Sequence, residues 1–232
     1  MRNLTEGKPI KLILLFTVPI LIGQIFQLLY NLVDTRIVGQ ILGKEALAAV
    51  ASTTSLSDLL ITLIYGVTNG FAIITASFFG AKDEKNLEKS IAGTFSLGIL
   101  ISVILSVFCL IFLDPLLKII KVDESLYVAA KSYIGIILAG LVVTALYNIF
   151  ACTLRAIGDS VTPLIFLIIS AFLNIVLDYS FIKFLKMGVA GAAYATVISQ
   201  VVSVILCFIY IRKKYKHLIP CKEDFKYDKN II

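Results

Sequence analysis

The sequence predicts an all-α membrane protein, a bundle of six transmembrane helices, and three observations carry that prediction. The chain is 59% hydrophobic and 16% charged, with a mean hydropathy of +0.97, far outside the range of soluble globular domains. Its charges fall largely in the gaps between apolar runs, most of which are near the ~20 residues that cross a bilayer. Within those runs the polar residues recur three or four positions apart, the spacing of one helix face. The net charge of +6 therefore reads as loop topology and gives no nucleic-acid footprint, because the Lys and Arg are spread over membrane flanks.

The six spans run over about 12–34, 47–79, 91–113, 132–150, 163–182 and 188–211, with a polar linker or tail at 217–232. Span 1 carries Gln24, Gln27, Asn31 and Asp34 as one stripe, which should face a cavity or another helix because lipid would penalise it. By rise per residue Asp34 lies about 33 Å from Leu12. It is then either a solvated interfacial acid or one brought deeper by tilt or a bend at Pro19. Span 2 repeats the pattern with Asp58, Thr62, Tyr65 and Asn69, and its Gly66–Gly70 spacing suits close helix packing. Span 3, poor in polar residues beyond Ser and Thr, suits a peripheral, lipid-facing helix that ends at Asp114–Pro115. The segment Lys118–Glu124 is expected as an outer loop or short amphipathic helix. Span 4 holds Thr144 and Asn148 four apart. Gly158–Asp159–Ser160 reads as a turn, with Thr162 as N-cap and Pro163 as first helical residue of span 5.

Alternate gaps contain 14 and 7 Lys and Arg residues, and the excess on the side of both termini places them in the cytoplasm. No cleavable signal peptide is expected, since the first apolar run is too long and lacks a small-residue cleavage motif. Cys109, Cys152, Cys207 and Cys221 have no metal-ligand or redox spacing. His217, the one histidine, lies in the tail. Without a nucleophile–base pair an enzyme is not expected, nor is a cofactor.

Span 5 is the informative one. Between Pro163 and Ile182, thirteen Leu, Ile, Val and Phe residues surround Asn174 and Asp178, which sit one turn apart on one face. An Asp at mid-membrane costs about 2.5–3.5 kcal/mol and each large aliphatic returns about 0.3–0.6, so the helix inserts with its acid. Asp178 lies roughly 22 Å beyond Pro163, and Thr196 about 12 Å into span 6. Both fall in the same half of a core ~30 Å thick. A hydroxyl in so Gly- and Ala-rich a helix also commonly bonds its own backbone.

Five stretches resemble the multidrug and toxic compound extrusion (MATE) family, in the family's order and over nearly the whole chain. They are Asp34-Thr-Arg-Ile-Val-Gly-Gln-Ile-Leu-Gly43, Ala46-Leu-Ala-Ala-Val50, Gly80-Ala-Lys-Asp83, Leu154-Arg-Ala-Ile-Gly-Asp-Ser160 and Gly188-Val-Ala-Gly-Ala-Ala-Tyr-Ala-Thr196. The resemblance is to the N-terminal six-helix half, one lobe of a twelve-helix antiporter. It implies an inner-membrane, multi-pass exporter of cationic or amphipathic drug-like compounds, driven by Na⁺ or H⁺. It also implies a coupling site at Asp34, Asn174, Asp178 and Thr196, beside a substrate cavity reached by Gln24, Gln27, Asn31 and Asn148. Hard-cation chemistry fits such an oxygen set, and two acids held close in low dielectric can share a proton.

Family members have two such halves related by a pseudo-two-fold axis, whereas this sequence supplies six spans. A fragment, a truncated reading frame, or a half that pairs with a second copy or a C-terminal lobe all remain open. Two rivals stand beside the antiporter. A lipid-linked oligosaccharide flippase of the wider superfamily would line its cavity with Arg and Lys, and none is expected inside these spans. A non-transporting membrane subunit would use the polar stripes as helix glue, which suits Gln and Asn and explains Asp178 poorly.

Overall fold

The computed structural model describes residues 9–215, so the expected tail at 217–232, with His217 and Cys221, lies outside the described residues. Helices α1 (Pro9–Leu42), α2 (Lys44–Gly80) and α3 (Glu84–Ile111) run back and forth, joined by the glycine bend at Gly43 and the turn at 81–83. The Asp83 side chain caps α3 by accepting from the Asn86 N–H at 3.2 Å. A short α4 (Leu113–Ile119) closes one end of the bundle, and α5 (Tyr127–Ala139) with α6 (Leu141–Ala156) form one passage bent by 43°. Then α7 (Val161–Tyr179) passes into a π-helical turn, Ser180–Phe184, and α8 (Val189–Lys214) returns. Five helices are long and apolar enough to cross a membrane, six when the bent pair counts as one span.

Helix α6 is the centre of the bundle. It packs on α2, α3 and α8, and every residue from Asn148 to Leu154 is buried. Two apolar clusters lie at opposite ends of the passage, one around Leu60, Leu117 and Leu138, the other around Ile91, Leu154 and Ile211. Helix α1 sits at the edge, mainly against α7, and turns most of its apolar residues outward. Side-chain hydroxyls tie the helices where water is absent. Ser106 donates to Leu138 O at 2.7 Å, Ser170 to Ser199 O at 2.7 Å, and Thr144 to Gln200 Oε1 at 2.6 Å. Such bonds contribute on average about 0.6 kcal/mol each in membrane bundles. At the α4 end, the Lys131 ammonium, 2.5 Å from Asp114, and the Tyr127 hydroxyl hold that carboxyl below the usual carboxylate range.

Several expectations need correction. Helix α1 continues past Asp34 to Leu42 because Ile37, Val38, Ile41 and Leu42 pack into a third apolar cluster, while Arg36 stays exposed on the other side. Helix α6 runs to Ala156 and takes in Arg155, which the sequence placed in a loop. Helix α7 starts at Val161 with Ser160 at the N-cap position, and the capping hydrogen bond comes from Asp159 just before it, whose carboxylate accepts from the Thr162 N–H at 3.0 Å. Thr162 is therefore not the N-cap. Helix α3 is lipid-facing on one side only, since its small residues Ser90, Thr94, Gly98, Ser102 and Ser106 are buried against the bundle. A Cβ at Gly66 or Gly70 would meet nothing within 4 Å, so that pair is no packing motif among the described residues.

Gly140, at the bend, is the glycine the fold requires. A Cβ there would lie 2.4 Å from Val197 Cγ2 and 3.3 Å from its Cβ, and a β-branched side chain in a helix strongly prefers a single rotamer. Gly140→Ala should push α8 away from α5 and cost about 1–3 kcal/mol by overpacking. A lower thermal midpoint in neutral detergent checks this, and an unchanged midpoint contradicts it.

Candidate functional site

Asp34 comes from α1, Asn174 and Asp178 from α7, and Thr196 from α8, and the fold brings all four together. Because α1 extends eight residues beyond Asp34, roughly 12 Å of helix, the acid lies well within the helix and away from its end. Asn174 and Asp178 have no exposed surface at all. The Asp34 and Asp178 carboxyl groups meet within hydrogen-bonding range of each other, a contact two carboxylates make only with a proton or a cation between them. With its amide set to suit its neighbours, Asn174 donates to Asp178 Oδ2 at 3.0 Å and accepts from the Thr196 N–H at 3.2 Å. The Thr196 hydroxyl donates back to Ala192 O at 3.1 Å, which leaves its lone pairs facing the site.

Two oxygens decide what this cluster can do. Asp34 Oδ1 and Asp178 Oδ1 are buried without a hydrogen-bond partner. Buried carboxylate oxygens are costly unless something positive or a donor meets them. The donor set is all oxygen, which suits a hard monovalent cation or a proton.

Two tyrosines that the sequence reading passed over belong here. The Tyr30 hydroxyl lies beside the Thr196 side chain, and Tyr133 on α5 lies within electrostatic reach of both acids. Tyr30 is four residues before Asp34, so its place on that face was legible; Tyr133 has no such signal. Directly after Asp178 the π-helical turn closes with Leu185 N donating to Ser180 O at 3.1 Å. Turns of this kind recur at functional sites.

The other polar residues divide. Gln24, Gln27 and Asn148 line a second, narrow cavity with Tyr65, Tyr147 and Arg155, towards the end of the lobe that carries the N terminus. Asn31 is exposed, and the lining of that cavity does not include it. Asp58 and Thr62 on α2 are also exposed, Asp58 within electrostatic reach of Tyr133. The expectation that no Arg or Lys stands inside a span fails at Arg155, which half-buries its side chain beside this cavity.

The MatE family model matches residues 19–180, more than half of the chain. This chain belongs to the MatE family. It is 33% identical over 221 residues to the probable multidrug resistance protein YoeA of Bacillus subtilis, covering 94% of this chain and 46% of YoeA. It is 26% identical over 213 residues to the multidrug export protein MepA of Staphylococcus aureus, covering 90% of this chain and 46% of MepA. Among solved structures, a MATE protein crystallised in a bent conformation superposes with a TM-score of 0.90 at 30% identity, over 97% of this chain and 50% of that one. A transporter of the MOP superfamily from Pyrococcus furiosus, described by the reverse polarity of its binding pocket, gives a TM-score of 0.88 at 30% identity over the same shares. This MatE chain thus spans about half the length of the relatives it matches, and its six passages correspond to one lobe.

Proposed function

We propose that this chain is the N-terminal lobe of a cation-coupled efflux antiporter. Asp34, Asn174, Asp178 and Thr196 bind the coupling Na⁺ or H⁺, and the cavity of Gln24, Gln27 and Asn148 belongs to the path of a cationic or amphipathic cargo. The observation that carries this reading is the pair of unpartnered buried oxygens, Asp34 Oδ1 and Asp178 Oδ1, on carboxyls from two helices that meet in the bilayer. Glue between helices would leave no such atoms, which weighs against a non-transporting subunit. Binding an ion there draws α1 towards α7. A cargo that prefers the opposite arrangement of α1 is then expelled, and differential affinity for the two arrangements is all that coupling requires. Residues 1–216 act as the lobe, 217–232 as its linker, and both termini face the cytoplasm from the inner membrane. A second lobe, from a longer chain or another subunit, completes the pathway.

Thermal unfolding of the purified chain in neutral detergent tests the site without needing transport. Exchanging choline chloride for NaCl, or lowering the pH, should raise the midpoint by mass action, about 2.7 kcal/mol at one hundred times the dissociation constant. A midpoint indifferent to Na⁺ and to pH alike would remove the proposal.

A further inference from the structure

We propose that Arg155 forms a second site, distinct from the acid pair, which takes the anionic head of an amphiphile, a carboxylate or a phosphate. Arg155 stands in the last turn of α6, at the end of the bent passage, half-buried rather than turned out to solvent. Its guanidinium carries five donors in a planar fork matched to carboxylate and phosphate. Among the described residues its contacts use little of that capacity. Nη2 donates to Cys152 Sγ at 3.2 Å, and the guanidinium stacks over the Tyr65 ring at 5.8 Å. A thiol is a weak acceptor and a ring face only an electrostatic one.

No acid among the described residues pairs with it. The nearest in sequence, Asp159, is taken up elsewhere, accepting from the Thr162 N–H and hydroxyl and from the Tyr210 hydroxyl at 3.0, 2.8 and 3.0 Å. A purely structural reading, charge against the C-terminal dipole of α6, would direct the guanidinium to the last carbonyls of that helix. It turns instead to Cys152 and Tyr65.

The surroundings give the rest of the ligand. Arg155 stands where two cavities meet. On one side lie the amides of Gln24, Gln27 and Asn148. On the other is a cleft of about 390 Å³ between α1, α2 and α6, walled by Phe16, Ile20 and Ile73, large enough for the body of a small molecule. A polar head and an apolar body are thus accommodated together, with the cation at the join. The acid pair lies farther along the lobe, since Asp34 is ten residues beyond Gln24 on α1, about 15 Å. One lobe therefore holds a negative centre and a positive centre at different depths, and of the amphipathic cargoes proposed above the positive centre takes those that bear an acid group. The cargo role rests on the export reading above; the binding itself does not.

Isothermal titration of the full chain in dodecyl maltoside, at fixed micelle concentration and without Na⁺, tests the site apart from ion coupling. The probes are dodecyl phosphate, dodecyltrimethylammonium and inorganic phosphate. The chain should bind dodecyl phosphate at least ten-fold more tightly than either of the others. Arg155→Gln should weaken dodecyl phosphate at least ten-fold and leave dodecyltrimethylammonium within two-fold, which also shows that the variant is folded. Arg155→Lys, retaining charge without the fork, should fall between the two. Preference for the trimethylammonium, or an Arg155→Gln protein that holds dodecyl phosphate unchanged, overturns the proposal. Equal affinity for inorganic phosphate overturns the amphiphile and leaves a site for the free anion.

Discussion

Asp178→Asn should abolish the response to the coupling ion and, in the same protein, raise the thermal midpoint measured without that ion. Both effects follow from one geometry. Two acids are held in contact where water is excluded, and Asp178 has no exposed surface. Like charges about 4 Å apart repel by roughly 4 kcal/mol at an effective dielectric of 20, and each buried ion has lost several kcal/mol of hydration. Measured in alkaline, ion-free detergent, where neither a cation nor a shared proton joins the pair, replacing one acid by an uncharged isostere removes the repulsion and one desolvated charge. A gain of about 1–3 kcal/mol is expected, and for a chain of this size each kcal/mol moves the midpoint by about 2–4 °C. The same substitution deletes an anionic ligand, so the stabilisation by Na⁺ or acid vanishes. Glu84→Gln controls for charge alone, since that acid is exposed in the first turn of α3 and its loss should leave the ion response intact. An Asp178→Asn protein with the wild-type ion response would dismiss the acid pair as the coupling site.

The Asn174–Asp178 pair was legible in the sequence because contrast made it so, whereas Asp34 joined it only through the family resemblance. An Asn and an Asp one turn apart among thirteen large apolar residues cannot be mistaken for surface, and period and depth then brought Thr196 to the same level. The structure places Asp34 with them through a mechanism the sequence reading did not include. The apolar runs of the sequence end at 34 and at 150, short of Arg36 and Arg155. Both helices in fact continue, α1 because Val38 and its neighbours have apolar partners, α6 because Arg155 reaches a cavity and an aromatic ring. A charge ends a helix in lipid only where nothing nearby can receive it, and that is a property of the fold. Tyr133 was hidden for another reason. Tyrosine is amphipathic, and its hydroxyl carries information only once its neighbours are known. The Gly66–Gly70 spacing misled in the opposite direction, since small residues allow close approach without requiring it.

Asn174→Ala should be the most damaging single change in the site, with the opposite sign of effect to Asp178→Asn. The Asn174 amide supplies Asp178 Oδ2 with a donor at 3.0 Å and takes the Thr196 N–H at 3.2 Å, while Asp178 Oδ1 already lacks a partner. Truncation would leave both oxygens of a fully buried carboxylate without a donor and open a small void. The unsatisfied group costs about 1–3 kcal/mol, more where it is charged, so a loss of about 2–4 kcal/mol is expected, seen as a lower thermal midpoint in ion-free detergent. The double variant separates the amide's service to the carboxylate from its packing. Once residue 178 is asparagine there is no charge left to satisfy, and removing the Asn174 amide should cost less. The cycle should therefore show a coupling of about 1–3 kcal/mol, within the range for residues in one hydrogen-bonded network. Additivity within about 0.5 kcal/mol would mean that the amide only fills space, and the negative centre of the lobe would then rest on Asp34 and Asp178 without a neutral member tying them to α8.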